Sequence, residues 1–379
     1  MLNLLVRNAK LYLSAVFFTL AAAFLVPSLP SSAAEVRKGI DVSSWQGEIN
    51  WGAVKDSGVE FAMIRCGNLA YGLDERFVSN IAGASAAGLR VGVYCYTYAM
   101  TPAEAMQEAA FVVALCQNAG ISYPIAIDLE DSCHKELSPE EQAGIVNAFC
   151  TVVYNAGYTP MVYSNVNWFN TRLAPVPWDH WVAQYNDVLE YQGVYTIWQY
   201  SGQGSVPGIA GKVDLDYCIQ DYETLIPESG FLSVGGNTFY FSNYRRQFGL
   251  KNIGEKLYYF DQLGTMIQGW LGEGGNRFYF DPADGCAAAS GFRVIDGSTY
   301  YFLPNGLSMT GLAGIEGSLY FFDGEGRMVT GWQFIDGGYY FFGADGRLVQ
   351  DAIFEDAAGV PVQVDSAGLL VAPEGYTPS

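Results

Sequence analysis

Pro124-Ile125-Ala126-Ile127-Asp128-Leu129-Glu130 reads as a short buried β-strand closed by two acids. Strand side chains alternate between faces, so residues i and i+2 point the same way. An Asp-x-Glu ending therefore aims two carboxyls at one place, about 6–7 Å apart along the backbone. Paired carboxyls are the usual equipment for cleaving a glycosidic bond. Once rotamers are chosen, the spacing suits the separation of either a retaining or an inverting enzyme. The plainer reading is a charged loop after a buried strand, and the surrounding chain decides between the two.

Around this stretch, from Lys38 to about Ile226, β-like runs alternate with helical ones. The candidate strands are Gly39–Val42, Phe61–Arg65, Arg90–Tyr98, Ile125–Leu129, Pro160–Tyr163, His180–Gln184, Thr196–Tyr200 and Lys212–Tyr217. Helical patterns occupy roughly Trp51–Ser57, Phe77–Ala87, Pro102–Ala119, Pro139–Asn155 and Asn165–Leu173. Ser138-Pro139-Glu140-Glu141 is a helix start: a capping Ser, Pro at the first position, then acids in the first turn. Thr101-Pro102-Ala103-Glu104 repeats that logic. The fold class predicted is α/β: a modified TIM-like (β/α) barrel with reduced helices after the fifth strand. Chemistry in such barrels gathers at the carboxyl ends of the strands. Asp41 ends the first predicted strand, Asp128 and Glu130 the fourth, and Asp214 and Asp216 lie in the eighth.

After Pro227 helical patterning vanishes. Aromatic triplets recur at 239–241, 258–260, 278–280, 300–302, 320–322 and 340–342. Gly249, Gly269, Gly291, Gly311 and Gly331 mark a period of 20, 22, 20 and 20 residues. Each unit reads as a hairpin too small to bury its own aromatics, so the units must stack as an all-β solenoid. The expected organisation is a signal segment at 1–34, a barrel at 38–226, hairpin repeats at 227–350, and a degenerate capping repeat with a tail at 351–379.

Arg7 and Lys10, an apolar stretch from Leu11 to about Leu29, and Ser32-Ala33-Ala34 read as a cleaved secretory signal, with no membrane span after cleavage. Those 34 residues carry two basic and no acidic side chains, so their removal takes the formal charge from −20 to −22. That excludes electrostatic binding to nucleic acid or anionic lipid. Attachment to an anionic cell envelope must then rest on stacking and hydrogen bonds. The seven cysteines show no CxxC or other metal spacing and read mostly as buried free thiols. With His134 and His180 the only histidines, no metal site, cofactor or Ser-His triad is expected.

Six motifs, in order, resemble the glycoside hydrolase family 25 muramidases, the Chalaropsis-type lysozymes. They are Gly39-Ile40-Asp41-Val42-Ser43-Ser44-Trp45-Gln46, the Gly83-Ala84 to Tyr94 segment, Ile127-Asp128-Leu129-Glu130, Trp181-Val182-Ala183-Gln184-Tyr185, Trp198-Gln199-Tyr200 and Val213-Asp214-Leu215-Asp216. The resemblance implies hydrolysis of the β-1,4 bond between N-acetylmuramic acid and N-acetylglucosamine in peptidoglycan. It implies Glu130 as general acid, its proton retained by a like charge on Asp128. Asp128 would stabilise the sugar cation or orient the N-acetyl group, with Asp41 and Asp214 beside it. Structural readings stand beside these: Asp41 as a turn cap, Asp214 as a partner of Lys212 or Arg65, and Asp216 as structural. Tyr96, Tyr163, Trp181 and Trp198 are the candidate sugar platforms, and Gln184 a donor to an acetamido group. Tyr94 and Trp45 read more readily as core.

The repeats resemble the cell-wall-binding repeats of choline- and glucan-binding proteins, with Trp270, Tyr279, Trp332 and Tyr340 as candidate ligand contacts. In choline-binding relatives, aromatics of adjacent repeats box a quaternary ammonium. Here the residues after the marker glycines are Leu250, Trp270, Phe292, Leu312 and Trp332. Leucine offers no π face, so a general wall polymer or glycan is the expected partner ahead of choline. The whole reads as a secreted, wall-associated muramidase. The rivals are a non-catalytic wall-binding protein or adhesin, and a chitinase-like glycosidase.

Overall fold

The structure, a computed structural model, describes residues 36–273, 276–371 and 377–378. The secretory signal expected at 1–34 lies outside the described residues. One compact unit gathers the chain up to Val112 with Ile125–Thr151 and Pro160–Asp221; the other gathers Val113–Pro124, Val152–Thr159 and the chain from Tyr222 onward.

The first unit is built on eight strands: β1 (Arg37–Val42), β2 (Phe61–Arg65), β3 (Arg90–Tyr96), β4 (Ile125–Asp128), β5 (Pro160–Asn165), β6 (Asp179–Ala183), β7 (Ile197–Gly204) and β8 (Val213–Cys218). They close into a barrel in chain order. Helices α1 (Trp51–Asp56), α2 (Phe77–Ala86), α3 (Pro102–Cys116) and α4 (Pro139–Asn155) precede strands β2 to β5. After β5 stands only the short α5 (Val166–Thr171) before the barrel closes, as the thinning helical pattern predicted. At the start of α4 the Ser138 hydroxyl accepts from Glu141 N, and the Glu141 carboxylate accepts from Ser138 N at 2.8 Å. That is the reciprocal cap its sequence announced.

Strands β1 to β7 run parallel, but β8 runs antiparallel to both neighbours, β7 and β1. Residues 205–212, with Pro207, Gly208 and Gly211, are too few for a parallel crossover, which needs a dozen or more residues. The chain therefore turns back, and the amino end of β8 meets the carboxyl ends of the others. Asp41 consequently pairs in register with Asp214. The core is aliphatic and aromatic, with Ile40, Phe61, Ile64, Val93, Ile127 and Val162 fully buried. Gly39 admits no side chain, because a Cβ there would fall inside the Phe61 ring.

In the second unit, two-stranded hairpins follow the predicted period: Gly249–Ile253 with Lys256–Phe260, Gly291–Ile295 with Ser298–Phe302, Gly311–Ile315 with Ser318–Phe322, and Gly331–Ile335 with Gly338–Phe342. Gly269–Glu273 pairs with Asn276–Phe280 in the same way. Asp296-Gly297, Glu316-Gly317 and Asp336-Gly337 all have positive φ, the turn whose twist suits a two-residue hairpin. The third aromatic of each triplet is the core: Phe241, Phe260, Phe280, Phe302, Phe322 and Phe342 are at most 1% exposed. Backbone bonds tie successive units, Met328 N to Thr299 O at 2.7 Å and Leu348 N to Leu319 O at 2.8 Å. In the last unit Val364, fully buried, takes the aromatic place. Five of the seven cysteines, Cys66, Cys95, Cys116, Cys150 and Cys218, are buried. Among the described residues no helix is long and apolar enough to cross a membrane.

Candidate active site

The strand ends converge on a cavity of about 180 Å³. Its lining includes the four predicted acids, Asp41, Asp128, Glu130 and Asp214, and three predicted aromatics, Tyr96, Tyr163 and Trp181. Tyr94, Tyr185, Gln199 and Arg65 complete it.

The acids form one electrostatic system. Asp41 is held well above the usual carboxylate range, by burial first and then by the charges of Asp216 and Asp214. Burial also raises Asp128, and the Glu130 charge adds to it; the Arg65 guanidinium works the other way. Glu130 is raised by burial, then by the charges of Asp214 and Asp131. Burial raises Asp214. Asp216 is pushed up to about 8 by burial, against the hydrogen bond it accepts from Trp181 Nε1 at 2.8 Å.

Asp128 and Glu130 are a coupled pair whose mutual repulsion disfavours ionising both. At Glu130 the charges of Asp214 and Asp131 add to it. Asp131 is suited to the task. Backbone Cys133 N donates to it at 2.8 Å and Tyr96 OH at 3.0 Å, and these bonds hold it below the usual range. Asp131 thus stays ionised next to Glu130 in sequence. Asp214 lines the cavity as expected, and the alternative reading of it as an ion-pair partner of Arg65 or Lys212 does not hold. Arg65 pairs with Asp74 at 2.7 Å and donates to Ser44 Oγ, while Lys212 Nζ donates to Gln203 O. Asp74 is fully covered, and despite that burial the backbone N–H groups of Arg76 and Ser44 hold it ionised. Arg65 is therefore the fixed cation of an acidic cavity.

Gln199 is the residue that sequence reading missed. Its Nε2 donates to Asp41 Oδ2 at 2.7 Å, and its Oε1 accepts from Tyr163 OH and Tyr185 OH, both at 3.0 Å. One buried amide thus orients an acid and two phenols. Trp198, its neighbour, expected as a sugar platform, is absent from the cavity lining. On β7, Ile197 and Gln199 are buried while Trp198 and Tyr200 alternate to the other face. Trp198 packs against Tyr200 and Tyr217 there and donates to Gln184 O. Gln184 also lies off the cavity lining. Its amide spans Glu190, donating to Oε2 and accepting from the backbone N, each at 2.8 Å. Trp181 is 1% exposed and edge-on to Tyr163 at 4.6 Å, so it forms the floor rather than a stacking face. Trp45, read as core, is 84% exposed, and Tyr94, read the same way, lines the cavity.

In the repeats, Trp270 and Phe292, each following a marker glycine, meet the middle aromatic of their own triplet and the first aromatic of the next. Trp270 lies 5.1 Å from Tyr279 and 4.7 Å from Tyr300; Phe292 lies 4.9 Å from Tyr301 and 5.1 Å from Tyr320. Trp332 meets Phe341 at 5.0 Å and Phe354 at 5.8 Å. Tyr340 is half-buried and bridged by its backbone to Leu369. The Trp270 ring already carries a cation: Arg277 Cζ sits 4.2 Å from its centroid, tied to the Glu325 carboxylate and to Glu325 O at 2.7 Å.

Residues 40–209 match the family described as Glycosyl hydrolases family 25. The chain shares 31% identity over 194 residues with the uncharacterized protein YegX of Escherichia coli O157:H7, covering 47% of this chain and 68% of that one. The chain belongs to family 25. Two further family 25 relatives carry activity names. The autolytic lysozyme of Clostridium acetobutylicum is 31% identical over 182 residues, which is 47% of this chain and 55% of that protein. Lysozyme M1 of Streptomyces globisporus is 30% identical over 199 residues, 47% of this chain and 66% of that one. The chain thus spans about half to two thirds of these relatives. The family 25 match takes in Asp41, Asp128 and Glu130; Asp214 lies just beyond it. The choline-binding repeat family matches residues 248–292, 289–330 and 309–351.

Proposed function

We propose that this chain is an N-acetylmuramidase, a peptidoglycan hydrolase cutting the β-1,4 bond between N-acetylmuramic acid and N-acetylglucosamine. In this reading residues 38–226 cut, residues 227–350 hold the wall, residues 351–379 cap the array, and residues 1–34 direct secretion. Tethering raises the local substrate concentration. The observation that carries the reading is the meeting of Asp41, Asp128, Glu130 and Asp214 in one tyrosine-walled cavity.

Glu130 is the general acid. It is the acid of the Asp-x-Glu pair nearer solvent, and the ionised Asp131 beside it favours its protonated form. It donates that proton to the leaving oxygen. Asp128, buried and within the field of Arg65, is the carboxylate that offsets positive charge developing on the sugar ring or orients the N-acetyl group. Gln199 holds Asp41 in place, and Tyr163 and Tyr185 present fixed hydroxyls to the ring. The repeats bind a wall component through the half-buried aromatic faces, and a quaternary ammonium such as choline suits the partly exposed rings of Phe292 and Tyr301 by cation–π attraction.

The test is digestion of defined peptidoglycan with mass analysis of the products. New reducing ends on N-acetylmuramic acid, lost in Glu130→Gln, are expected. Reducing ends on N-acetylglucosamine, or none in the unaltered chain, would overturn the assignment. Retention of the full chain on a choline matrix tests the repeats.

A further inference from the structure

Tyr96 in the cavity wall is not the last ring in its row. Tyr98 stands 5.3 Å from it between centroids, and Tyr71 stands 5.2 Å from Tyr98. Tyr71 occupies the turn between the short paired segments Gly67–Asn68 and Gly72–Leu73, and it is 79% exposed.

The turn is rigidly held. Buried Asn68 donates from Nδ2 to Tyr96 O at 3.0 Å, and its Oδ1 accepts from Tyr71 N at 2.9 Å. One side chain thus fixes the exposed ring to the strand that carries Tyr96. Gly67 has φ +92°, and a Cβ there would strike Gly72 O, so the two segments close tightly on each other. Tyr71 meets Tyr98 in a T-shaped contact at 67°, and its 79% exposure leaves ring surface open to solvent. Leu69 and Leu73 beside it are 49% and 44% exposed. A fixed, open aromatic face continuous with a carbohydrate cavity is suited to stacking on a sugar ring, with the phenol reaching a hydroxyl.

We infer that Tyr71 and Tyr98 extend the binding surface outward from Tyr96 and hold further sugar residues of the same glycan strand, beyond those at the catalytic carboxyls. The inference rests on the muramidase reading for its ligand class, N-acetylated hexopyranoses. The ligand follows from continuity: a strand threaded past Tyr96 meets Tyr98 and then Tyr71.

The experiment compares peptide-free glycan strands of two lengths, one short oligosaccharide and one long strand, on the full chain. Tyr71→Ala should reduce the kcat/KM preference for the long strand about fivefold, the size of one lost stacking contact, through KM rather than kcat. Tyr71→Trp should restore it, which a merely structural role of the turn would not allow. In a Glu130→Gln background, Tyr71→Ala should weaken long-strand affinity by the same factor. Unchanged preference and affinity overturn the inference. So does an effect seen only when stem peptides are attached, which would assign the surface to peptide. If the unaltered chain cleaves neither strand while Tyr71→Ala still weakens long-strand affinity, the muramidase reading falls and the platform stands.

Discussion

Both units of this protein are rich in tyrosine, phenylalanine and tryptophan, but they use them oppositely. In the barrel, the aromatic rings around the cavity spend their polar tips on acids and one amide: Tyr163 and Tyr185 on Gln199, Tyr96 on Asp131, Trp181 on Asp216. In the repeats, aromatics mainly meet aromatics, and the third ring of each triplet is the core itself. A barrel assembled from distant strands can bury charge because partners from all around the ring satisfy it. A hairpin array, whose units touch only their neighbours, has short-range partners and relies on shape and stacking. Function should therefore be fragile to single polar changes in the barrel, and stability should be fragile to single apolar changes in the repeats.

The largest break in that contrast is expected from Glu130→Gln, which should lower hydrolysis by about 10²–10⁴-fold, the usual worth of a general acid, with the melting temperature scarcely lowered. Phe302→Ala should destabilise its hairpin and the neighbours by about 3–5 kcal/mol, read as loss of hydrogen-exchange protection confined to residues 291–322 and adjacent hairpins. A uniform loss across the barrel would break the comparison. Gln199→Leu leaves Asp41 and two phenols without their partner, so kcat should fall about tenfold to a hundredfold, on the analogy of lost orienting groups elsewhere.

Proton linkage gives a finer probe. Asp216 is raised to about 8 in the fold from an ordinary 3.8. Its contribution to stability is therefore full below about pH 4 and is lost as pH rises through about 8. Asp216→Asn should flatten the fall in melting temperature across that window. Asp131→Asn removes a negative neighbour of Glu130, so the alkaline limb of kcat/KM should move to lower pH. The smallest effect is expected in the repeats: Arg277→Ala uncovers the Trp270 face and should modestly increase choline uptake per chain, measured by calorimetry.

The sequence by itself determined much of this protein. The strand period made Asp128 and Glu130 a pair, the capping signals located α3 and α4, and the glycine spacing counted the hairpins, because each of these is written in neighbouring residues. Tertiary structure decided the rest. The short 205–212 connection obliges β8 to run backwards, but only closure of the ring shows that this brings Asp214 opposite Asp41. No local pattern tells which face of Trp198-Gln199 turns inward, since a shift of one residue exchanges the faces of a strand. Aromatic character favoured Trp198, whereas the barrel placed the amide among acids and phenols that could pair with it. Likewise only the fold shows the bonds from Tyr96 and Cys133 that keep Asp131 charged beside Glu130. Periodicity is a property of the chain, but the field at a carboxyl is a sum over everything folded around it.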